Sequence, residues 1–511
     1  MWVPNERTCT ADIPALEISI MEVYIQAVSR LSGVGALGGR LLCSIDAGTS
    51  GVRLSIYGED LALSARYSLG LPLYFGGGRV EQDAAVLVTR VRDMLRKAEK
   101  SGCRVVGLSI YRGSVVGWRD GEPLGGVVTW MDSRGLEEYM RLPLHARLAS
   151  KIPVIGKALK PGSPALVIRR LWLSHRGARV WSVDGFLSDV LTGEFTSDPG
   201  QAALTGLVSP YSLKPLTPVI RLLGLKGLEL PELRLHNEPL TRVGGALVGP
   251  MVADQQAASI GLGCLRPGCV KATLGTGLFL DAPVEGKPPL FTGDLIPVVN
   301  LALPERVYYG LEGFAAGVGM VFDAFTRVLG GFSVLEEKAL EPADPAPVVP
   351  VLAGLRTPYR PLLRGAVLGV SPGFTAASLA KGLIIGTLLT MLSIYRELAR
   401  RTGGFGELRI GGGLSRLGLL ASSIASAVGV KVYRSVDYND SARGAALVAG
   451  YASDLISREE LLNPPVSLVE VEPLEELSLS GVDSWLGLVD ALASEDFSRR
   501  LEEIRRSSFR R

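Results

Sequence analysis

Histidine is nearly absent from this chain. Three residues in 511, His145, His175 and His236, leave little material for imidazole general-base catalysis. No serine–histidine or cysteine–histidine pairing stands out, which argues against the common acyl-transfer machineries. Cysteine is also scarce. Cys9, Cys43, Cys103, Cys264 and Cys269 are odd in number and lie mostly in apolar runs. That pattern predicts buried free thiols in a reducing, cytoplasmic compartment. The spacing of Cys264 and Cys269 does not match a zinc knuckle, and no histidine lies near them. A charge imbalance is missing too. The formal net charge is +3, so the basic footprint of a nucleic-acid binder is absent. No apolar stretch is long and clean enough to predict a membrane span. The first 40 residues carry acids near their front and no clear cleavage site, so they make a poor secretory signal and receive no function.

What is present is a globular balance, with 47% hydrophobic and 21% charged residues. The length calls for two large domains, or two and a tail. From Leu41 the chain alternates strand-like and helix-like segments. "LLCSIDAG", "VRLSIYG" and "ALSARYSL" predict three strands joined by short turns, and "QDAAVLVTRVRDMLRKAEKSG" predicts a helix ended by Gly102. The order repeats in outline. "VKATLGTGLFLDAP" reads as strand, tight turn, strand, and "ELRIGGG" as a strand running into a glycine turn. "VLEEKALEPADPAPVVPVLAG" reads as a Pro-rich surface insertion or linker. The expected divisions are an extension over 1–40, domains over 41–247 and 248–465, and a helical tail over 466–511.

Turns rich in Gly, Ser and Thr expose backbone N–H groups that can cradle phosphate oxygens. There are two, "DAGTSGVR" and "LGTG", one near the head of each expected domain, and "GGGLS" follows a later strand. Asp46 ends the first strand, where a carboxylate can hold Mg²⁺ against nucleotide phosphates, directly or through water. Arg53 follows on the second strand, within reach of a transferring phosphoryl group. Asp254, in "GPMVADQQAASIGLG", opens a helix and is the candidate to accept a proton from a substrate hydroxyl. Phosphoryl transfer rests mainly on positioning and charge neutralisation, so one such base suffices.

"IDAGTSGVR", "VEQD", "WMDSR", "ADQQAA", "LGTG", "GGG" and "ARGAA" stand in the order and approximate spacing of the FGGY carbohydrate kinases, and the chain resembles that family from about Leu41 to Gly450. The resemblance implies an α/β, two-domain actin/hexokinase-like ATPase fold with ATP and Mg²⁺ in the interdomain cleft. Within the family the chain looks most like glycerol kinases, in "ADQQAA", "LGTGLF", "YGLEG", "YRGSVVGW" and "PYRPLLRGAVLGVS". On that likeness Asp254 is the base, with Gln255 beside it, and Arg112 hydrogen-bonds substrate hydroxyls. Trp118 and Phe279 pack on the carbon chain of a small polyol. Thr49, Ser50, Arg53, Gly275 and Thr276 hold phosphates, and Gly412 and Gly413 lie against the adenine end. Without the resemblance, Trp118 and Phe279 would read as core aromatics and Arg112 as an ion-pair partner.

Two departures bear on the substrate. The glutamate that follows the family's arginine is Gly113 here, and a tyrosine before the downstream helix has no clear counterpart. A ketose kinase for xylulose or ribulose is therefore the alternative within the family, and a non-catalytic nucleotide sensor the alternative outside it. A two-fold homodimer is the general expectation for a soluble enzyme.

Overall fold

The computed structural model describes residues 41–500, apart from 59–60, 153–154, 353, 475–480 and 498. The extension over 1–40 and most of the predicted terminal helix in "FSRRLEEIRRSSFRR" lie outside the described residues.

The expected hairpin opens the first sheet. Strand β1 (Leu42–Gly48) pairs antiparallel with β2 (Gly51–Tyr57), which pairs antiparallel with β3 (Leu63–Gly70). Helix α1 (Ala84–Lys100) starts where the Asp83 carboxylate accepts from the N–H groups of Ala85 and Val86. The chain returns as β4 (Val105–Ile110), parallel to β1, and β5 (Ala246–Ala253), parallel to β4. Thr241–Val243 closes the edge antiparallel to β5. The cut expected at 247/248 falls inside β5, so the first sheet extends past it.

The second half repeats this order. Helix α2 (Asp254–Gly261) leads into β6 (Cys269–Leu274), which turns antiparallel into β7 (Leu278–Val284). β8 (Ile296–Ala302) and β9 (Val307–Ala315) extend the sheet antiparallel on the β7 side. After the long helix α3 (Ala376–Thr402), β10 (Glu407–Gly411) lies parallel to β6 and β11 (Lys431–Ser435) parallel to β10. Leu468–Glu470 closes this edge antiparallel to β11. Both sheets thus place a hairpin centrally, parallel strands on one side of it, and an antiparallel edge beyond them.

Helix α4 (Asp440–Ala452) crosses back from the second half onto the first sheet. It can lie that close because the contacts lack side chains. A Cβ on Gly107 would fall 2.1 Å from Ala445 O, and one on Gly444 would fall 1.8 Å from Ala257 O. α3 is long and apolar enough to cross a bilayer by length and composition, but 78% of its apolar window is buried inside the structure. Its residues join the second hydrophobic core, as a central helix does. The expected linker over Val334–Gly354 is only partly one. Its start is helical, and Val348, Val349 and Val351 are buried in the same core.

The expectation of buried free thiols fails for four of the five cysteines. Cys43 is bonded to Cys103, and Cys264 to Cys269. Cys43 and Cys103 lie 60 residues apart, and only folding brings β1 beside the turn before β4. Each bond fastens a strand of a central hairpin to the chain next to it. Alkylation of unreduced, denatured protein is expected to label one cysteine, Cys9, and labelling after reduction all five, as read by intact mass. Replacing both Cys43 and Cys103 by Ser should lower unfolding free energy by about 2–4 kcal/mol in denaturant titration.

Candidate active site

The two glycine-hydroxyl turns face one cavity of about 880 Å³. Thr49, Ser50 and Arg53 line one wall, and Gly275, Thr276, Gly412 and Gly413 line the other. The first turn is held from below. Gln82 Nε2 donates to Thr49 O at 2.6 Å, and Tyr111 Oη donates to Gln82 Oε1 at 2.5 Å. "VEQD" therefore braces the turn through Gln82 and caps α1 through Asp83. The second turn is shaped by close approach. A Cβ on Gly319 would fall 2.2 Å from Gly275 O, and one on Gly412 2.6 Å from Leu274 O. Gly411 is held against Asp440, whose Oδ2 would lie 2.0 Å from an added Cβ.

Asp46 sits between the halves. Its Oδ1 accepts from Ser109 Oγ at 2.7 Å and from Ser441 Oγ, on α4, at 3.2 Å. Arg53 Nη1 lies 3.6 Å from Oδ2, while its Nη2 donates to Ser50 Oγ. Among the described residues no group of three or more His, Cys, Asp or Glu side chains could hold a metal ion. A lone carboxylate suits Mg²⁺, which keeps several waters and takes other ligands from substrate phosphates; it does not suit an all-protein cage.

Asp254 opens α2 at the end of β5. Its side chain is 26% exposed and lines the cleft. Burial pushes its carboxyl up to about 6, and the Arg112 guanidinium, with Nε 3.4 Å from Oδ1, opposes that rise. Arg112 is locked in turn. Its Nη2 donates to both oxygens of Glu312 at 2.9 and 2.8 Å, and Nη1 donates to Gln256 Oε1. Gln255 Nε2 faces Asp254 Oδ2 at 3.4 Å, and buried Lys271 donates to Gln255 Oε1 and O. Glu312, Gln256 and Lys271 are the support that sequence reasoning did not single out. Glu312 lies within "YGLEG", so its motif was visible though its partner was not.

Phe279 lines the cleft as expected, stacked on Phe314 with centroids 5.1 Å apart and with the Arg112 guanidinium 5.4 Å from its ring centroid. Trp118 does not line it. The ring is fully buried against Phe186 and Phe195, with Nε1 donating to Asp189 Oδ2 at 2.5 Å. β-strand alternation explains the miss, since the strand over Val115–Arg119 pairs with Arg179–Ser182 in a second N-terminal sheet and turns Trp118 into that core. The cleft tryptophan is Trp130 of "WMDSR". It meets Phe279 edge-on at 6.3 Å and donates from Nε1 to Thr49 Oγ1 at 3.3 Å. Gly113 has φ +71°, and a Cβ there would lie 3.2 Å from Trp130 Cβ. The missing glutamate thus coincides with a left-handed backbone packed against the cleft tryptophan.

The model of the FGGY family of carbohydrate kinases, C-terminal domain, matches residues 270–453. A glycerol kinase of Citrifermentans bemidjiense is 30% identical over 453 residues, covering 81% of this chain and 90% of the relative. A protein of Archaeoglobus fulgidus described as an uncharacterized sugar kinase is 27% identical over 448 residues, covering 80% of this chain and 91% of the relative. In fold, the chain matches the Plasmodium falciparum glycerol kinase solved with ADP at TM-score 0.74 and 18% identity, covering 89% of this chain and 99% of that one. It matches a ligand-bound xylulose kinase of Lactobacillus acidophilus at TM-score 0.72 and 16% identity, covering 91% and 99%. The fold is that of the two-domain actin/hexokinase-like ATPases. The chain belongs to the FGGY family of carbohydrate kinases. It is a carbohydrate kinase by family.

The two tryptophans separate by experiment. Trp130→Ala is expected to raise KM for the acceptor about tenfold or more with little change in Tm, because it removes cleft wall. Trp118→Ala should lower stability by about 3–5 kcal/mol, read by denaturant titration. Gly113→Glu should fail to restore a substrate contact and should lower Tm, because the position requires positive φ.

Proposed function

We propose that the protein transfers the γ-phosphoryl group of ATP to a primary hydroxyl of a small polyol. Glycerol is the acceptor favoured by the relatives' names, and the product is then sn-glycerol 3-phosphate. The observation that carries the reading is the placement of Asp254: a carboxylate pushed up to about 6, beside a guanidinium, in the cleft that both phosphate turns line. A base with such a value accepts a proton near neutral pH and remains largely ionised beforehand.

In this reading Asp254 takes the acceptor hydroxyl proton as the oxygen bonds to the γ-phosphorus. The bond from that phosphorus to the bridging oxygen of ADP breaks in the same displacement, and its electron pair leaves with ADP. Arg112 and Gln255 hold acceptor hydroxyls, and Trp130 and Phe279 cover the carbon chain. Thr49, Ser50, Gly275 and Thr276 offer donors to the phosphates, and Arg53 balances charge on the transferring group. Gly412 and Gly413 lie toward the adenine end. Mg²⁺, held by Asp46 directly or through water, would neutralise phosphate charge. Closure of the two halves would exclude water, which competes with the acceptor. The domains we assign are 41–253 and 254–465, with the first cut moved to the end of β5.

The second reading, a pentulose kinase, is favoured by Gly113, since a lost acceptor group weakens discrimination for the hydroxyl it would bind. Coupled ADP release with glycerol, dihydroxyacetone, xylulose, ribulose and gluconate separates the two. Turnover of a pentulose with none of glycerol would replace the first reading by the second. Asp254→Asn is expected to lower kcat by about 10²–10⁴ while ATP affinity changes little. Unchanged turnover in that variant would remove Asp254 from the mechanism. The kcat/KM profile should rise with pH up to about 6 and level above it, because only the ionised carboxylate accepts the proton.

A further inference from the structure

Beyond the aromatic wall the cleft continues to side chains that the phosphoryl-transfer reading does not use. Lys157, Lys160 and Arg356 line it there. They come from separate segments: the short helix Ile155–Leu159, the turn after it, and the loop after the short strand Val348–Val349. Their place is on the acceptor side. Arg356 N donates to Phe314 O at 3.2 Å, and Phe314 is the ring stacked on Phe279.

The charges there do not cancel. Lys160 Nζ lies 3.3 Å from Asp294 Oδ1, and Oδ2 of the same carboxylate accepts from Tyr359 N at 2.9 Å. Lys157 donates to Thr292 Oγ1 and to the carbonyls of Gly293 and Leu295, which are neutral. Arg356 Nη1 donates to Pro161 O at 3.0 Å, and among the described residues no carboxylate forms an ion pair with it. Its guanidinium lies over Gly162, where a Cβ would fall 2.3 Å from Nη2. Burial pulls Arg356 below its ordinary value and Lys157 down to about 8. Three cations share the single carboxylate of Asp294, and the excess positive charge withdrawn from water calls for an anion.

We infer that the acceptor is a short polyol bearing an anionic group, carboxylate or phosphate, on the end away from the phosphorylated hydroxyl, with that group seated on Arg356 and flanked by Lys160 and Lys157. The inference rests on the kinase reading of the same cleft. Glycerol then supplies the reacting end of the true acceptor without its charge.

The test compares acceptors matched in length, using the full chain with ATP and Mg²⁺ in a coupled ADP-release assay. The carboxylate arm sets glycerate against glycerol and erythronate against erythritol. The phosphate arm sets each glycerol phosphate enantiomer against glycerol. In at least one arm the anionic acceptor should exceed its neutral partner in kcat/KM by about thirtyfold or more. Arg356→Gln should cut that ratio by a similar factor, and Arg356→Lys should recover part of it. A ratio near one or below in both arms, or a ratio unmoved by Arg356→Gln, overturns the inference. Calorimetric binding of the same acceptors, with a non-hydrolysable ATP analogue present, reads the same ratio if turnover is too slow. Equal or absent binding overturns the inference there too. Failure of the kinase reading looks different: no acceptor releases ADP, and Asp254→Asn behaves as the unaltered chain does.

Discussion

One guanidinium holds the acceptor side together. Arg112 follows the last residue pairs of β4, in the first sheet, yet its fork closes on Glu312 of β9, in the second. The same side chain stands 3.4 Å from Asp254, at the junction of the halves. Arginine suits this place because its planar fork meets a carboxylate through two bonds while Nε remains free to face another. Glu312 carries the partner charge, so the guanidinium need not neutralise Asp254 fully. Burial can then keep that carboxyl high enough to serve as a base. Beneath it, buried Lys271 fixes Gln255, and Ser259 donates to Asp281 in the layer below.

The rest of the architecture brings the two glycine turns to this point. Two sheets of the same strand order each contribute a central hairpin, and the hairpin turns become opposite walls of a cleft. Helix α4 couples them. It packs on the first sheet through glycines, sends Ser441 to Asp46, and sets Asp440 against Gly411. The disulfides fasten strands β1 and β6, which carry those turns, to neighbouring chain. Both turns are thereby tied to neighbouring chain within their own half.

Much of this was legible in the chain. The hairpins, the helix that stops just before Gly102, and the glycine turn at Gly411 announce themselves through period and punctuation. Asp46, Arg112, Asp254 and Phe279 were visible through their motifs, and the cleft contains them. What failed depended on long-range geometry. Trp118 and Trp130 are twelve positions apart in similar surroundings, and only strand pairing decides which faces the cleft. The cysteines read as thiols because nothing local brings Cys43 to Cys103. Lys157, Lys160 and Arg356 are unremarkable in sequence, since they meet only where distant segments fold over the acceptor end.

The most direct test of the central claim is a crystal structure with ADP and a bound acceptor. The account predicts β-phosphate oxygens between Thr49–Ser50 and Gly275–Thr276, and a carboxylate oxygen of Asp254 about 2.6–3.2 Å from the acceptor hydroxyl. Nucleotide phosphates away from both turns, or an Asp254 side chain directed away from the acceptor, would contradict it.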